Sequence, residues 1–243
     1  LRLSPSRGQM GRAVFSPEIC LWRIFAFFWI MTLLVLQNAQ AEIQMDNRFI
    51  TARLHYSGGG DWYGDETSFV NLLAALGQRT SLSCSKKEVV VTLKSNEIFS
   101  YPFVTITGHG NIIFSDDEAE RLRLYLTGGG FIWVDDDFGM DESLRPALKR
   151  VFPNLDLVEL PSNHPIYQTV YSFKDGLPKI HEHHGGSPRG YGLFYQGRLV
   201  LFYSFNTDIG DGLEDPDVHK DPPAKREAAL KMAINVVMYA LSH

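Results

Sequence analysis

The chain has 243 residues, 44% hydrophobic and 21% charged, with a net charge of −5 at pH 7. That length supplies the core of a single domain. The acidic balance excludes nucleic acid as a partner, because phosphate recognition needs an excess of Lys and Arg.

Residues 1–41 read as an export signal. Arg7, Arg12 and Arg23 supply positive charge, 24–36 form a continuous apolar run, and Ala39-Gln40-Ala41 has the small-x-small form of a cleavage site. The apolar run is shorter than the roughly 20 residues of an ordinary membrane span, so cleavage is expected over retention as an anchor. Its removal takes away four arginines and Glu18 and leaves 42–243 more acidic than the whole chain. The reading is a periplasmic or extracellular protein with no stable membrane span after cleavage. Of two cysteines only Cys84 then remains, so no internal disulfide can form. An exported domain without one must rest on its core.

Taken in order, 49–56 reads as a first strand, followed by a glycine-rich, acidic and aromatic loop, 57–65. Thr67 is placed to cap a helix in which Phe69, Leu72, Leu73 and Leu76 share a face. A valine-rich second strand covers 88–93, and a third, 103–107, ends in Gly108-His109-Gly110. Ser115 and Glu118 form a capping box for a helix to about 126. The glycines 128–130 close it and turn into a fourth strand. There Phe131, Ile132, Trp133 and Val134 run without polar alternation, as in a central strand covered on both faces. Asp135, Asp136 and Asp137 follow where that strand ends.

A helix starts at Asp141 or Ser143 and stops before Pro153, and 155–160 is a fifth strand. Loops fill 161–189. Residues 191–195 and 198–204 flank Gln196-Gly197 as a hairpin. An acidic loop covers 206–221, and Asp221 caps a last helix whose first turn accepts Pro222. Leu230, Ile234, Val237 and Leu241 are expected to line its buried face. Alternating strands and helices predict a mostly parallel sheet with helices on both faces and an antiparallel extension near the C-terminal edge.

Several motifs together carry a family resemblance. They are Arg53-Leu54-His55-Tyr56 with Gly59-Gly60-Asp61-Trp62-Tyr63, Tyr101-Pro102-Phe103 leading to Thr107-Gly108-His109-Gly110, Gly129-Gly130-Phe131, Asp135-Asp136, Met140-Asp141-Glu142-Ser143, Lys179-Ile180-His181-Glu182, and Gly210-Asp211-Gly212. From about residue 47 onward the chain resembles the bacterial family called domain of unknown function 4159. That family is similar in fold to class I glutamine amidotransferases and ThuA-like domains. The resemblance implies a flavodoxin-like three-layer α/β/α sandwich over 42–243. The amidotransferases place a nucleophilic cysteine after a central strand, where this chain has Val134-Asp135-Asp136-Asp137. Cysteine-dependent glutaminase chemistry is therefore not expected.

Ligands of parallel α/β sheets bind beyond the carboxyl ends of the strands. On that rule His55, Asp61, Trp62, His109, Asp135, Asp136, His181 and Glu182 are expected to converge as a ligand-binding crevice. His109, Asp136, His181 and His183 are the candidate ligands of a divalent metal. The run 181–184 is not the helical zinc-protease motif, since Gly185 stands where a histidine is required. Only one or two of the three consecutive aspartates can enter the crevice, because strand side chains alternate. Asp208, Asp211, Glu214, Asp215 and Asp217 form a second, oxygen-rich loop of the kind calcium favours, without the spacing of an EF-hand. Glycines 58–60 occupy the position of a phosphate loop, but Asp61, Asp65 and Glu66 beside them would repel phosphate. Carboxylates interleaved with Trp62, Tyr63 and Phe138 point to a polar small molecule or carbohydrate. The expected function is a ligand-binding or assembly module of the cell envelope, with a metal-dependent hydrolase as the alternative.

Overall fold

The computed structural model of the protein describes residues 48–181 and 185–243. Strands β1 (Ala52–Leu54), β2 (Val89–Val91), β3 (Phe103–Ile106) and β4 (Phe131–Asp135) pair in parallel, and β7 (Arg198–Phe205) continues the parallel set beside β4. Strands β6 (Arg189–Tyr195) and β5 (Val158–Glu159) extend that edge antiparallel. The order is β2-β1-β3-β4-β7-β6-β5. Helices α1 (Ser68–Arg79), α4 (Ile209–Leu213) and α5 (Pro223–Ser242) cover one face together with Phe131 and Trp133. Helices α2 (Asp116–Thr127) and α3 (Asp141–Val151) cover the other with Ile132 and Val134. This is a three-layer α/β/α sandwich, and the unbroken apolar run of β4 exists because both its faces are covered.

Local signals explain most elements. Ser115 Oγ accepts from Glu118 N at 3.2 Å and Glu118 Oε2 accepts from Ser115 N at 2.9 Å, so the capping box starts α2. At the hairpin, Gln196 and Gly197 take φ of 50° and 81°. Two successive positive φ values match the right-handed twist of the flanking strands.

Other expectations are corrected. Thr67 gives no side-chain cap to α1. The carboxylate of Glu214 does so instead, accepting from Thr67 N at 2.7 Å and Ser68 N at 3.2 Å. Asp221 does not cap α5 either, since that helix begins behind Pro222 without a side-chain cap. Of the expected apolar stripe of α5, Ile234 and Val237 are buried and Leu230 packs partly buried against the core, but Leu241 is exposed, and the buried face is wider, with Ala229, Met232, Ala233 and Val236. The fifth strand shrinks to two exposed edge residues. The long segment after it is pinned by Asn235 of α5, whose Oδ1 accepts from Val170 N and Tyr171 N and whose Nδ2 donates to Tyr171 O. No helix among the described residues is long and apolar enough to cross a membrane.

Candidate functional site

Beyond β1 the chain turns toward the α1 face, and beyond β3 it turns toward the α2 face. This divergence makes the carboxyl ends of two adjacent parallel strands a topological switch point, where such sheets bind ligands. Arg53, in β1 and 2% exposed, ties one wall down. Its guanidinium donates to the carbonyls of Trp62, Gly64 and Asp65, pairs with Glu88 at 3.1 Å, and lies 4.8 Å over the Phe69 ring. A buried guanidinium needs all of these partners. The loop carrying Asp61 is thereby fixed to β1.

Opposite it, Gly108 has φ of +121°, and a Cβ there would lie 2.8 Å from Asp61 Oδ1. Glycine thus lets the two loops touch. Asp61 accepts from His109 N at 2.5 Å and pairs with His109 Nδ1 at 2.8 Å. Partial burial alone would raise the Asp61 carboxyl, but the hydrogen bonds and charge of His109 hold it below the ordinary value. The His109 ring is half exposed. His55 is exposed and stacks on Trp62 at 4.1 Å, and Tyr63 meets Trp62 edge-on at 5.7 Å. Tyr63 is exposed and extends the His55–Trp62 stack, and Phe138, after the aspartate run, is exposed as well.

Behind His109 the site becomes buried and acidic. Its Nδ1 is 4.0 Å from Asp137 Oδ2. Asp135, Asp137 and Asp208 are each at most 5% exposed, and each offers a carboxylate oxygen within 4.8 Å of the others. Asp135 accepts from Ser204 Oγ and from Gly210 N, the latter at 2.6 Å. These bonds do not offset its burial, which pushes its carboxyl up to about 8. Burial and neighbouring aspartates raise Asp137 and Asp208 as well. Thr107 Oγ1 lies 2.7 Å from Asp65 Oδ2 and 2.9 Å from Asp137 Oδ1. A hydroxyl has one proton to donate, so the second contact is a hydrogen bond only when the other carboxyl carries a proton. Four carboxyls here hold protons or share a cation; they do not all stand as bare anions.

Asp136 is not part of this nest. Alternation along β4 points it to the α3 side, where it accepts from Met140 N and Tyr203 OH, each at 3.0 Å. It fixes the turn into α3. His181 is 3.7 Å from Asp211 and 3.7 Å from Asp221. Glu182 and His183 fall outside the described residues. Cys84 bridges Phe49 ahead of β1, on the amino side of the sheet, and burial raises its thiol. It is no activated nucleophile.

Residues 50–241 match the family described as Domain of unknown function (DUF4159). The chain belongs to that family. No curated protein matches it. In this DUF4159 domain the sequence reading omitted Asp137 and Asp208 from the site. The period of two that removes Asp136 also selects Asp135 with Asp137. Asp208 follows β7, whose parallel pairing with β4 was not foreseen, so its arrival beside Asp135 had no local signal.

Proposed function

We propose that the domain is an exported, cation-dependent binding module of the cell envelope for a hydroxyl-rich ligand such as a carbohydrate. The observation that carries this reading is the convergence of Asp135, Asp137 and Asp208 at the ends of β4 and β7. Three carboxylates in a place poor in water are costly to ionise. One divalent cation offsets that cost. An all-oxygen set favours hard ions such as calcium or magnesium. The cation would hold the inner aspartates behind His109, a ligand's hydroxyls would meet the half-exposed Asp61–His109 pair, and the Trp62 and Tyr63 rings would pack on its apolar faces. The aspartates that stand where the amidotransferases carry a cysteine support kinship in fold without glutaminase chemistry.

A metal-assisted hydrolase is favoured by one further observation. His109 is held by Asp61 and sits 4.0 Å from Asp137, and a histidine oriented by a carboxylate is the arrangement of a general base. A screen of soluble oligosaccharides with and without calcium or magnesium separates the readings. Cation-dependent binding without turnover fits the module. Turnover lost on chelation and in His109→Ala fits the hydrolase. Neither binding nor turnover would overturn both. Export is tested by N-terminal sequencing of protein recovered outside the cytoplasm, which should begin at Glu42. An intact 1–41 segment on cytoplasmic protein would contradict it.

A further inference from the structure

A second cluster of metal-ligating side chains stands where the segment after residue 178 meets α4 and the loop before α5. His181 Nδ1 is 3.7 Å from Asp211 Oδ2 and 3.7 Å from Asp221 Oδ1, and His219 Nε2 is 3.0 Å from Asp211 Oδ1. The two imidazole rings meet edge to face with centroids 5.7 Å apart. His181, Asp211 and His219 each present one ligand atom within 4.8 Å of the others.

Two observations lift this above an ordinary ion-pair cluster. Asp221 has a side chain only 9% exposed. Its Oδ1 faces His181, while its Oδ2 is buried without a hydrogen-bond partner. A buried carboxylate oxygen left unpaired costs free energy that a ligand would recover. The distances also fit. Two ligands about 2.1 Å from one tetrahedral ion lie about 3.4 Å apart, between the 3.0 Å from His219 to Asp211 Oδ1 and the 3.7 Å from His181 to Asp211 Oδ2. Lys220 takes φ of 60°, an uncommon backbone for a lysine. In that turn both of its neighbours, His219 and Asp221, reach the cluster.

We infer that His181, Asp211 and His219, with the buried Asp221 carboxylate beside His181, form a binding site for a divalent ion of the zinc class. Two imidazoles select borderline transition ions over calcium or magnesium. Two carboxylates balance the charge of one such ion, so burying the loaded site leaves no net charge. The ion would tie the 179–181 segment to the loop that leads into α5. This site differs from the all-oxygen nest in ligand residues and metal class, although Asp211 borders the nest through its N–H to Asp208 Oδ1 and its charge beside Asp137.

The test is a competition titration of zinc against a chromogenic chelator, using the untagged full chain stripped of metal. About one equivalent of zinc should bind. His219→Ala and Asp221→Asn should each weaken it by at least about tenfold, as the loss of a ligand or its support does. His219→Gln, at a partly exposed position, guards against misfolding and should also weaken binding. Asp137→Asn disables the oxygen nest and should leave zinc binding in place. No zinc binding by the wild type overturns the inference, as does binding unchanged in His219→Ala. So does binding lost in Asp137→Asn but kept in the histidine variants, which would move the zinc to the nest.

Discussion

Asp61, in the loop after β1, and Asp135, at the end of β4, both lie on the carboxyl side of the sheet, and their surroundings treat the same carboxyl in opposite ways. Asp61 is partly exposed and meets both the backbone and the ring of His109, so its negative form is favoured. Asp135 is fully enclosed with Asp137 and Asp208 close by, and its neutral form is favoured although two hydrogen bonds reach it. Number of hydrogen bonds does not separate the two. Water and a countercharge do. The crevice therefore has an outer part that is already balanced and an inner part that is balanced only by protons or by a cation.

The largest expected effect comes from breaking the outer wall. Arg53→Ala leaves Glu88 and three loop carbonyls without their buried partner. Loss should cost about 3–5 kcal/mol in urea unfolding, and a cost below about 1 kcal/mol would mean that Arg53 is not the anchor. The next effect has the opposite sign. Asp135→Asn removes a carboxyl that resists ionisation and keeps a carbonyl for Gly210 N. In chelator the variant should be more stable than wild type at about pH 8, by about 1–4 kcal/mol; destabilisation there would mean that Asp135 works as a plain hydrogen-bond acceptor.

A pH series sharpens the same contrast. The folded Asp135 carboxyl lies near 8, above its ordinary 3.8. Between those values the folded chain holds a proton that the unfolded chain has lost, so stability falls as pH rises. Each such group contributes a slope of about 1.4 kcal/mol per pH unit. Metal-free protein should lose melting temperature across this window, and calcium or magnesium should restore it. A flat profile would contradict the shift. The smallest effect belongs to Asp61→Asn. This pair is half exposed and screened, so the variant should cost at most about 1 kcal/mol while weakening ligand affinity. A larger stability loss would make the pair a structural clamp.

Where the physics was local, the sequence revealed it. The apolar run 131–134, the Ser115–Glu118 capping box and the Gln196-Gly197 turn each specify their conformation within a few residues, and each stands where it was read. The family resemblance likewise rested on short motifs. What escaped detection depends on contacts between distant segments. Glu214 caps α1 across 147 residues of sequence, although Thr67 has the residue type and position of a cap. Asp208 reaches Asp135 only because β7 lies parallel to β4. The five residues of α4 are too few to display a helical period. His219 falls in a stretch that reads as an acidic loop and Asp221 reads as a helix cap, because nothing nearby in sequence shows that His181 comes back to them.

The measurement that bears most directly on the inner aspartates is proton release on cation binding. Calcium or magnesium is titrated calorimetrically into the chelator-treated full chain at about pH 7, in buffers that differ in ionisation enthalpy. If Asp135, Asp137 and Asp208 exchange protons for one cation, binding should release about one proton or more from the wild type. Asp135→Asn should bind more weakly and release fewer. Absence of binding, or binding and proton release unchanged in Asp135→Asn, would contradict a cation site at the ends of β4 and β7.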